Sequence, residues 1–592
     1  MITLYPYQKT AVKFADQNKK AFIEAPTGSG KSIMIAHLAK KYADEGKKVV
    51  VSTHTNQLAL ELLKDLKEKF NLTKADIVVG KSNYIDIENL DFSEISKLID
   101  AKDFIQELAA LTANFDVNKN EEYLIDVFLD KFDIDESTKE LLVRLLKTEN
   151  PKDFIKKFSD IQVSVTNHYY LIYELLFNKE ENFNNYVFIL DEAHQLLDAM
   201  ETIFTHNFSL FRFRYLLNNF MEEIKFMDFR GQKTLMKRLS KLRSIVNTMF
   251  RVYTNENSIG TSYTGDKKHI SIIRKFCRFI VEENMDLYNK VKKVVLPNPK
   301  TRNLLLEEWK ELIEIRDVAP NTVTFYYSPA KGYPSLSAIK GNIYKKMRIM
   351  WKRIQNVKGF SATFSIPTYD EYFRYRLCIL KEDNVKFYKI APVFKKEQIN
   401  YFIVGKDFPK PKTTEESVDL NWIKAVGDFI IDTFEEKNTL VLMGGFLEVD
   451  NLYDYLSLKL NVPILRASKN KSAYNIIKQF KRQGGILIGT RNYGMGIDLK
   501  GNMLEKLYIA KLPYPVIGNK KWLEKMEKDK ANGEKTSYFQ MRNEMLLNLK
   551  QWTGRLIRSS EDKGDLYVLD SRANNDSKLR SGIEKTIENI FR

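Results

Sequence analysis

The stretch Glu24-Ala-Pro-Thr-Gly-Ser-Gly-Lys-Ser32 lies between a short, mainly apolar run, Ala21 to Ala25, and a segment with helical periodicity, Ile33 to Lys41. Strand, glycine-rich loop and helix in this order are the context in which a phosphate-binding loop occurs. Backbone N–H groups of such a loop surround phosphate oxygens at the helix N-terminus, where the helix dipole also favours anions. The stretch therefore predicts an α/β domain with a nucleotide-phosphate site at the edge of its sheet.

The residues of this loop have separate expected tasks. Gly28 and Gly30 let the backbone curve closely around phosphate oxygens. Lys31 is expected to reach the β- and γ-phosphates of ATP, and Ser32 is expected to bind Mg²⁺. An ordinary glycine-rich turn is the alternative, because the strict pattern begins with Gly where this chain has Ala25. The expected nucleotide contacts are Ala25, Pro26, Thr27, Gly28, Ser29, Gly30, Lys31 and Ser32.

A pair of carboxylates forms the second motif. The apolar run Tyr186 to Leu190 predicts a buried strand that places Asp191 and Glu192 at its carboxyl end, where open parallel sheets bind ligands. Asp191 is expected to hold Mg²⁺ directly or through water, and Glu192 to orient and deprotonate the attacking water. His194 is interpreted as a coupling residue between nucleotide and nucleic-acid sites, with an ordinary strand-end histidine as the alternative.

The third motif is Gln551-Trp-Thr-Gly-Arg555-Leu-Ile-Arg558. Residues spaced by three and four positions lie on one face of a helix, so Gln551, Arg555 and Arg558 are expected to project together. Guanidinium groups in such an arrangement neutralise charge that develops on the γ-phosphate of an ATP held by another domain. An exposed basic helix face is the alternative interpretation.

The alternation of strand-like and helix-like segments predicts two parallel, doubly wound α/β domains. Two segments interrupt the first of them and show helical spacing instead, which predicts two mainly helical insertions. The expected division is 1–81, 161–204 and 356–397 for the first α/β domain, 82–160 and 205–355 for the insertions, and 398–592 for the second α/β domain.

The net charge of +17 is unevenly distributed between the two insertions. Residues 82–160, the acidic insert, contain 10 Lys and Arg against 19 Asp and Glu, which gives this segment a net charge of −9. Residues 205–355, the basic insert, contain 29 Lys and Arg against 13 Asp and Glu, an excess of +16. Nucleic-acid phosphates are attracted to the second surface and repelled by the first.

Cysteine content and hydropathy exclude other classes of protein. The chain has two cysteines, Cys277 and Cys378, which excludes a disulfide framework and a four-thiolate metal site. No uncharged apolar run approaches the roughly 18 residues that a membrane span needs, and no secretory signal begins the chain. We therefore expect no membrane anchor and a location in the cytoplasm, which is the host cytoplasm if the chain is virus-encoded.

Together these motifs resemble those of superfamily 2 DNA helicases of the XPD/DinG branch, which are DEAH-box enzymes. The resemblance covers essentially the whole chain and implies two RecA-like motor domains, with ATP and Mg²⁺ as cofactors. The matching stretches are Glu24 to Ser32, Val165 to His168, Asp191 to His194, Gly359 to Thr363, Gly489-Thr490, Gly496 to Asp498, Lys511 to Pro515 and Gln551 to Arg558.

The resemblance implies roles for further residues. Gln8 would approach the adenine, with a surface polar residue on the first helix as the alternative. Thr53, Asn56 and Thr490 would contact nucleic-acid phosphates, which positions a strand without reading its sequence; a plain turn role is the alternative for Asn56. The implied coupling residues are His194, Ser361, Thr363, Gly496 and Asp498.

The inserts depart from the family pattern. In XPD-like enzymes the insertion at the position of the acidic insert holds an iron–sulfur cluster on four cysteines, but residues 82–160 contain no cysteine, so no cluster is expected. We expect the acidic insert to be structural or to dock a partner protein. The basic insert corresponds to the arch domain, and Lys237, Arg238 and Lys241 are expected to bind the strand. Solvated helix faces over an aromatic core are the alternative.

The sequence thus predicts an ATP hydrolase that moves along single-stranded nucleic acid, expected to be DNA, and unwinds duplexes as a monomeric motor. The resemblance implies 5′ to 3′ polarity. A motor subunit of a larger complex, such as a CRISPR-associated DinG-like or viral replication helicase, is the second hypothesis. A non-catalytic strand-binding scaffold is the third, and retention of Lys31, Asp191, Glu192, Arg555 and Arg558 argues against it.

Overall fold

The computed structural model describes most of the chain between Thr3 and Phe591. The described ranges are 3–86, 90, 92–99, 102–113, 122–148, 156–255, 278–282, 284–296, 299–317, 323–328, 333–339, 342–412, 418–468, 471–494, 499, 501–515, 535–559 and 561–591.

The strands of these ranges fall into three sheets. In chain order they are β1 Lys20–Glu24, β2 Lys48–Thr53, β3 Ala75–Ile77, β4 Val163–Asn167, β5 Tyr186–Leu190, β6 Thr205–Ser209, β7 Val323–Ser328, β8 Tyr333–Ile339, β9 Val357–Ser361, β10 Lys386–Lys389, β11 Ile399–Ile403, β12 Thr439–Leu442, β13 Ile464–Arg466, β14 Ile486–Gly489, β15 Lys506–Ile509 and β16 Gly564–Val568.

Helices cover the sheets and build the inserts. In chain order they are α1 Pro6–Gln17, α2 Lys31–Asp44, α3 Asn56–Phe70, α4 Phe92–Leu98, α5 Lys102–Ala113, α6 Ile125–Leu129, α7 Glu136–Leu146, α8 His168–Phe177, α9 Leu196–Ile203, α10 Leu210–Lys225, α11 Gln232–Asn255, α12 Met285–Lys293, α13 Lys300–Asp317, α14 Ile343–Arg353, α15 Tyr372–Arg376, α16 Leu420–Asp432, α17 Phe446–Ser457, α18 Ala473–Gln483, α19 Thr536–Thr553 and α20 Ser577–Glu588.

The first motor domain, domain 1, is a seven-stranded sheet with the order β10-β1-β9-β5-β2-β4-β3, and every pairing in it is parallel. Strands β1, β2, β4 and β5 consist largely of buried residues, as expected for a parallel sheet covered by helices on both faces. The carboxyl ends of β1, β5 and β9 lie side by side, so the segments that follow these strands meet at one edge.

The second motor domain, domain 2, is a six-stranded parallel sheet with the order β11-β16-β15-β12-β14-β13. Its apolar core includes Trp422, Leu487 and Trp552, none of which is more than 1% exposed. Two parallel α/β domains with insertions in the first confirm the predicted fold class. The exact residues at which the domains were divided stay predictions.

The two inserts share one hydrophobic core, which sequence periodicity did not predict. Buried side chains of the acidic insert, such as Phe104 and Leu142, belong to the same apolar cluster as Phe213 and Trp309 of the basic insert. The basic insert also contributes an antiparallel sheet with the order β6-β8-β7. The inserts are therefore one packed body beside domain 1, and the basic insert is less uniformly helical than expected.

Ion pairs with buried members join the inserts along this core. Arg212, 8% exposed, pairs with Glu140 of the acidic insert and with Glu308, at 3.1 Å between Nε and Oε2. Glu308 is fully buried and also pairs with Arg144, at 3.0 Å. Part of the positive charge of the basic insert is therefore neutralised by the acidic insert rather than offered to a ligand.

Candidate active site between the two motor domains

The phosphate-binding loop follows β1 and ends where α2 begins at Lys31. Gly28 and Gly30 have φ values of 76° and 74°, in the left-handed region that glycine occupies without strain. Space around them is also restricted, because a Cβ atom at Gly28 would lie 2.8 Å from the carbonyl oxygen of Arg558. Glycine thus suits the backbone conformation at both positions, and at Gly28 it also allows the close contact with Arg558.

Gln8 supports this loop directly. Its Nε2 donates to the carbonyl oxygen of Ser29 at 2.8 Å, and its Oε1 accepts from the backbone N–H of Tyr5 at 2.9 Å. The side chain is 2% exposed, so the alternative of a surface polar residue on the first helix is wrong. Gln8 therefore holds the loop through the carbonyl oxygen of Ser29. Its contact with adenine stays a prediction.

Lys31 contacts both carboxylates of the second motif. Its Nζ lies 3.4 Å from Oδ1 of Asp191 and is hydrogen-bonded to Oε1 of Glu192. Strand β5 ends just before Asp191, whose backbone N–H donates to the carbonyl oxygen of Ser52 at 2.8 Å. Glu192 has a φ of 48°, an uncommon left-handed conformation for a residue with a side chain. The three predicted residues therefore form one compact cluster.

The charges of this cluster shift its pKa values in opposite directions. Burial by itself raises the pKa of Glu192, but the Lys31 ammonium and His194 together outweigh burial and hold that pKa far below its usual value. Burial raises the pKa of Asp191, against the opposing effect of Lys31. Burial lowers the pKa of Lys31, but the charges of Glu192 and Asp191 reverse this and raise it. Glu192 paired with Lys31 is therefore a weak base.

The predicted coupling residues of domain 1 form a hydrogen-bonded chain. His194 Nδ1 lies 2.8 Å from Ser361 Oγ and 3.2 Å from Glu192 Oε2. Ser361 Oγ lies 3.2 Å from Thr363 Oγ1. A path of polar side chains thus runs from the carboxylate motif to the end of β9. Gly496 and Asp498 lie outside the described residues.

Domain 2 covers the phosphate-binding loop with its arginine motif. A Cβ atom at Gly554 would lie 2.3 Å from Oγ1 of Thr27, so this glycine allows α19 to end directly against the loop. Arg555 donates from Nε to the carbonyl oxygen of Gly494 at 2.8 Å, which fixes its side chain within domain 2. Gln551, on the last turn of α19, is half-buried. The candidate site is therefore bipartite.

The residues fit a magnesium–nucleotide complex by their chemistry. Ser32 lies exposed at the first turn of α2, and Asp191 supplies a carboxylate beside Lys31. Hydroxyl and carboxylate oxygens are ligands that Mg²⁺ prefers, and backbone N–H groups at a helix N-terminus suit phosphate. Ser32 and Asp191 would hold the metal, and Gly28, Gly30 and Lys31 the phosphates.

Two supporting residues lie in stretches that the sequence analysis quoted but were given no role there. Glu24, at the end of β1, is 2% exposed and pairs with Lys550 of domain 2, at 2.7 Å between Oε1 and Nζ. His168 is fully buried, and its Nδ1 lies 2.8 Å from Oγ of Ser52. Burial lowers the pKa of His168 to about 3. A charge inside the predicted strand β1 was the available signal for Glu24, and the place of His168 in the matching stretch Val165 to His168 was the signal for that residue.

Comparisons with known proteins agree with this architecture. Residues 431–589 match the family described as helicase C-terminal domain, and residues 1–226 match the type III restriction enzyme res subunit family. The ATP-dependent DNA helicase YoaA of Haemophilus influenzae is 24% identical over 95% of this chain and 89% of its own length. The protein named 3′-5′ exonuclease DinG of Staphylococcus aureus (strain MSSA476) is 25% identical over 97% of this chain and 68% of its own length.

The chain is thus similar to helicases of the XPD/DinG branch along nearly its whole length. Among solved structures, one titled XPD_Helicase superposes with a TM-score of 0.58 at 15% identity, over 99% of the chain described here and 98% of that chain. The Xpd4 structure from S. tokodaii gives a TM-score of 0.57 at 14% identity, over 97% and 99% respectively. At this identity the structures show that the overall fold of the chain is shared.

The residues predicted to contact phosphates lie at the ends of parallel strands. Thr53 is the last residue of β2, and Thr490 follows β14; both are buried. Asn56 is 4% exposed, donates to Asp126 of the acidic insert at 3.2 Å and accepts from Asn167 at 2.6 Å. The same amide nitrogen of Asn56 also donates to Asn83 at 3.1 Å, so a nucleic-acid contact donated by this amide would have to replace one of these two bonds, and this role stays a prediction.

The predicted strand-binding cations of the basic insert lie on α11. Lys237 and Lys241 are exposed, whereas Arg238 is half-buried and pairs with Asp286 of α12. Lys237 and Lys241 are therefore the members of this group that the helicase offers to solvent. Among the described residues, no helix is both long and apolar enough to cross a membrane.

Proposed function

We propose that this helicase couples ATP hydrolysis to 5′ to 3′ movement along single-stranded DNA and thereby unwinds duplexes. The observation that carries the proposal is the bipartite site, in which the loop of domain 1 touches Gly554 and Arg558 of domain 2. In a site divided between two domains, a change of ligand changes the position of one domain relative to the other. Repeated changes of this kind would move the enzyme along the strand.

The pairing of Lys31 with Glu192 supports a nucleotide-controlled base. Bound MgATP would supply a γ-phosphoryl group and attract the Lys31 ammonium. Glu192 then loses one of the two groups that lower its pKa, with His194 remaining, so that it becomes a stronger base toward water. The base is thus strengthened when the phosphate site is filled.

The coupling chain supports transfer of this change through domain 1. His194 contacts Glu192 on one side and Ser361 on the other, so a movement of Glu192 alters the hydrogen bonds at the end of β9. Phe364 and Ser365, directly after this segment, bond to Glu24 at the start of the phosphate-binding loop. Hydrolysis chemistry and the position of this segment are therefore linked by contacts.

One observation favours DNA as the substrate, and a second favours a nucleic acid of either kind. YoaA, a relative along nearly the whole chain, is named an ATP-dependent DNA helicase. The basic insert carries a local charge of +16, with Lys237 and Lys241 exposed. Phosphate contacts of this kind give affinity without sequence preference, as movement along a strand requires.

A strand-displacement assay tests the proposal. Duplexes of DNA and of RNA, with either a 5′ or a 3′ single-stranded tail, are incubated with the helicase with and without ATP. We expect ATP-dependent release of an intact labelled strand from the 5′-tailed DNA duplex. Shortened strands would instead indicate nuclease activity, and release from 3′-tailed DNA alone would contradict the polarity.

The matched control is Glu192→Gln, which keeps the shape of the side chain but removes the base. Loss of a general base typically lowers a rate by about 10²- to 10⁴-fold, and we expect kcat for ATP to fall by that amount with nucleotide binding retained. Full DNA-stimulated ATPase in this variant would contradict the proposed mechanism.

A further inference from the structure

A buried carboxylate joins three motifs at the boundary between the motor domains. Glu24 lies directly before the phosphate-binding loop and accepts hydrogen bonds from the backbone N–H of Phe364, at 2.9 Å, and from Oγ of Ser365, at 2.7 Å. Both residues follow the coupling segment Ser361 to Thr363. The oxygen that accepts from Ser365, Oε1 of Glu24, also binds Nζ of Lys550, the residue before Gln551.

This contact crosses between domains. Glu24 ends β1 of domain 1, and Lys550 lies on the last turn of α19 in domain 2. A carboxylate that is 2% exposed is costly to bury without a cation, and moving Lys550 away leaves Glu24 with neutral donors and the more distant ammonium of Lys389, at 3.9 Å from Oε1. The pair is therefore favourable mainly when the two domains are in the arrangement described here.

The same face of α19 contacts domain 1 along most of its length. Leu547 packs with Ile366 and Tyr372 in a buried apolar cluster, and Glu544 pairs with Arg376 at 3.2 Å between Oε1 and Nε. Residues 544, 547 and 550 are spaced by three positions and so face the same side of a helix. Lys550 is the contact on this face nearest to Arg555 and Arg558.

We propose that Glu24 and Lys550 are a positioning pair, which sets α19 against the phosphate-binding loop so that Arg555 and Arg558 reach the γ-phosphate during hydrolysis. The inference rests on the proposed function, since it assigns a role within the same ATPase cycle. Neither residue needs to touch the nucleotide: Glu24 is occupied by Phe364, Ser365 and Lys550. The pair therefore acts on the hydrolysis step and not on nucleotide affinity.

Steady-state ATPase measurements on Lys550→Met test the pair. The variant keeps an unbranched side chain of similar length but has no charge. A misplacement of about 1 Å can cost about 10²-fold in rate, so we expect kcat to fall by roughly 10- to 100-fold while KM for ATP changes less than about twofold. Lys550→Arg, which restores the cation, should recover a large part of kcat.

Lys389→Met is the matched control. Its Nζ also faces Glu24, at 3.9 Å from Oε1, but it lies on β10 of domain 1 and so cannot report the position of α19. We expect wild-type kcat from this variant. In the double variant Glu24→Gln, Lys550→Met, the loss should not exceed that of the more impaired single variant, because the two residues act as one pair.

Several outcomes would overturn the inference. A wild-type kcat in Lys550→Met, a rise in KM without a fall in kcat, or an equal loss in Lys389→Met would each do so. Binding of a fluorescent ATP analogue with unchanged Kd shows that each variant is folded. If the wild-type chain shows no ATPase activity, or shows activity that Lys31→Ala does not abolish, the proposed function fails. If the wild-type chain is active and the Lys550 variants are equally active, the positioning role alone fails.

Discussion

Helix α19 and the acidic insert both bridge the two motor domains, but their contacts differ in burial and chemistry. The α19 contact combines the buried carboxylate of Glu24 with the apolar side chain of Leu547, which is 3% exposed. The acidic insert instead reaches domain 2 with the exposed side chain of Asp133, which accepts from the backbone N–H of Ser472 at 2.9 Å and from Nδ2 of Asn475 at 3.1 Å.

The difference indicates which contact resists domain movement. Opening the α19 interface exposes apolar surface and removes the nearer of the two cations beside the buried carboxylate of Glu24, and both changes are unfavourable. Opening the insert contact exchanges exposed hydrogen bonds for bonds to water, at a net cost of about 0.5–1.5 kcal/mol each. We infer that the nucleotide cycle acts on the α19 interface and that the insert contact follows.

The largest expected effect lies at the end of the α19 interface. Arg555→Ala and Arg558→Ala each remove a guanidinium group that would neutralise charge on the transferred phosphoryl group. Such groups contribute about 10³- to 10⁵-fold, so we expect kcat for ATP to fall by at least about 10³-fold in steady-state assays. Arg580→Ala is the control, because Arg580 pairs with Glu584 within α20. Near-normal kcat in both motif variants would contradict the difference inferred between the two interfaces, since α19 would then not serve catalysis.

The sequence predicted the parts of the site that depend on short segments. A glycine-rich loop after a strand and carboxylates after another strand meet because parallel strands place their carboxyl ends at one edge. Thus Lys31, Asp191 and Glu192 form one cluster, and His194 lies beside Ser361. Each of these positions follows from the local pattern together with the α/β fold.

Contacts between distant faces could not be predicted in this way. Glu24 and Lys550 are 526 positions apart, and nothing in either local pattern names the other as its partner. Helical periodicity in the inserts predicted apolar faces, but not that Phe104 and Trp309 belong to one core. Asn56 was assigned to nucleic acid by resemblance, whereas the structure adds a bond to Asp126 that only tertiary packing reveals.

An intermediate effect is expected where the acidic insert is fastened to the basic insert. Arg212→Met leaves Glu308, which is fully buried, with fewer partners, and breaking a buried pair typically costs about 3–5 kcal/mol. Arg144 still pairs with Glu308, so we expect the lower end of that range. Hydrogen exchange of α10 and α13 amides measures the free energy of local opening.

Arg278→Met is the control for this variant, because Arg278 is exposed and pairs with Glu282 one helical turn away. Exposed pairs are worth about 0–1 kcal/mol, so exchange in α10 should change little. Equal protection in the Arg212 and Arg278 variants would show that the shared apolar core alone holds the inserts together. The acidic insert would then be held by apolar packing against the basic insert and by exposed hydrogen bonds to domain 2.

The smallest effect is expected at the contact between the acidic insert and domain 2. Asp133→Ala removes the acceptor for two hydrogen bonds at the N-terminus of α18, where a carboxylate also gains from the helix dipole. Because the carboxylate is exposed, the loss should be about 1 kcal/mol, seen as roughly fivefold faster hydrogen exchange of the first α18 amides. Glu107→Ala, which removes a pair with Lys131 inside the insert, should leave these amides unchanged.

ATPase activity distinguishes the two interfaces in this last experiment. If α19 alone sets the catalytic arrangement, Asp133→Ala keeps the wild-type kcat although the insert contact is weakened. A fall in kcat comparable to that of Lys550→Met would mean that the insert also positions domain 2, in spite of its exposed contacts. The difference in burial between the two interfaces would then not determine which of them controls hydrolysis.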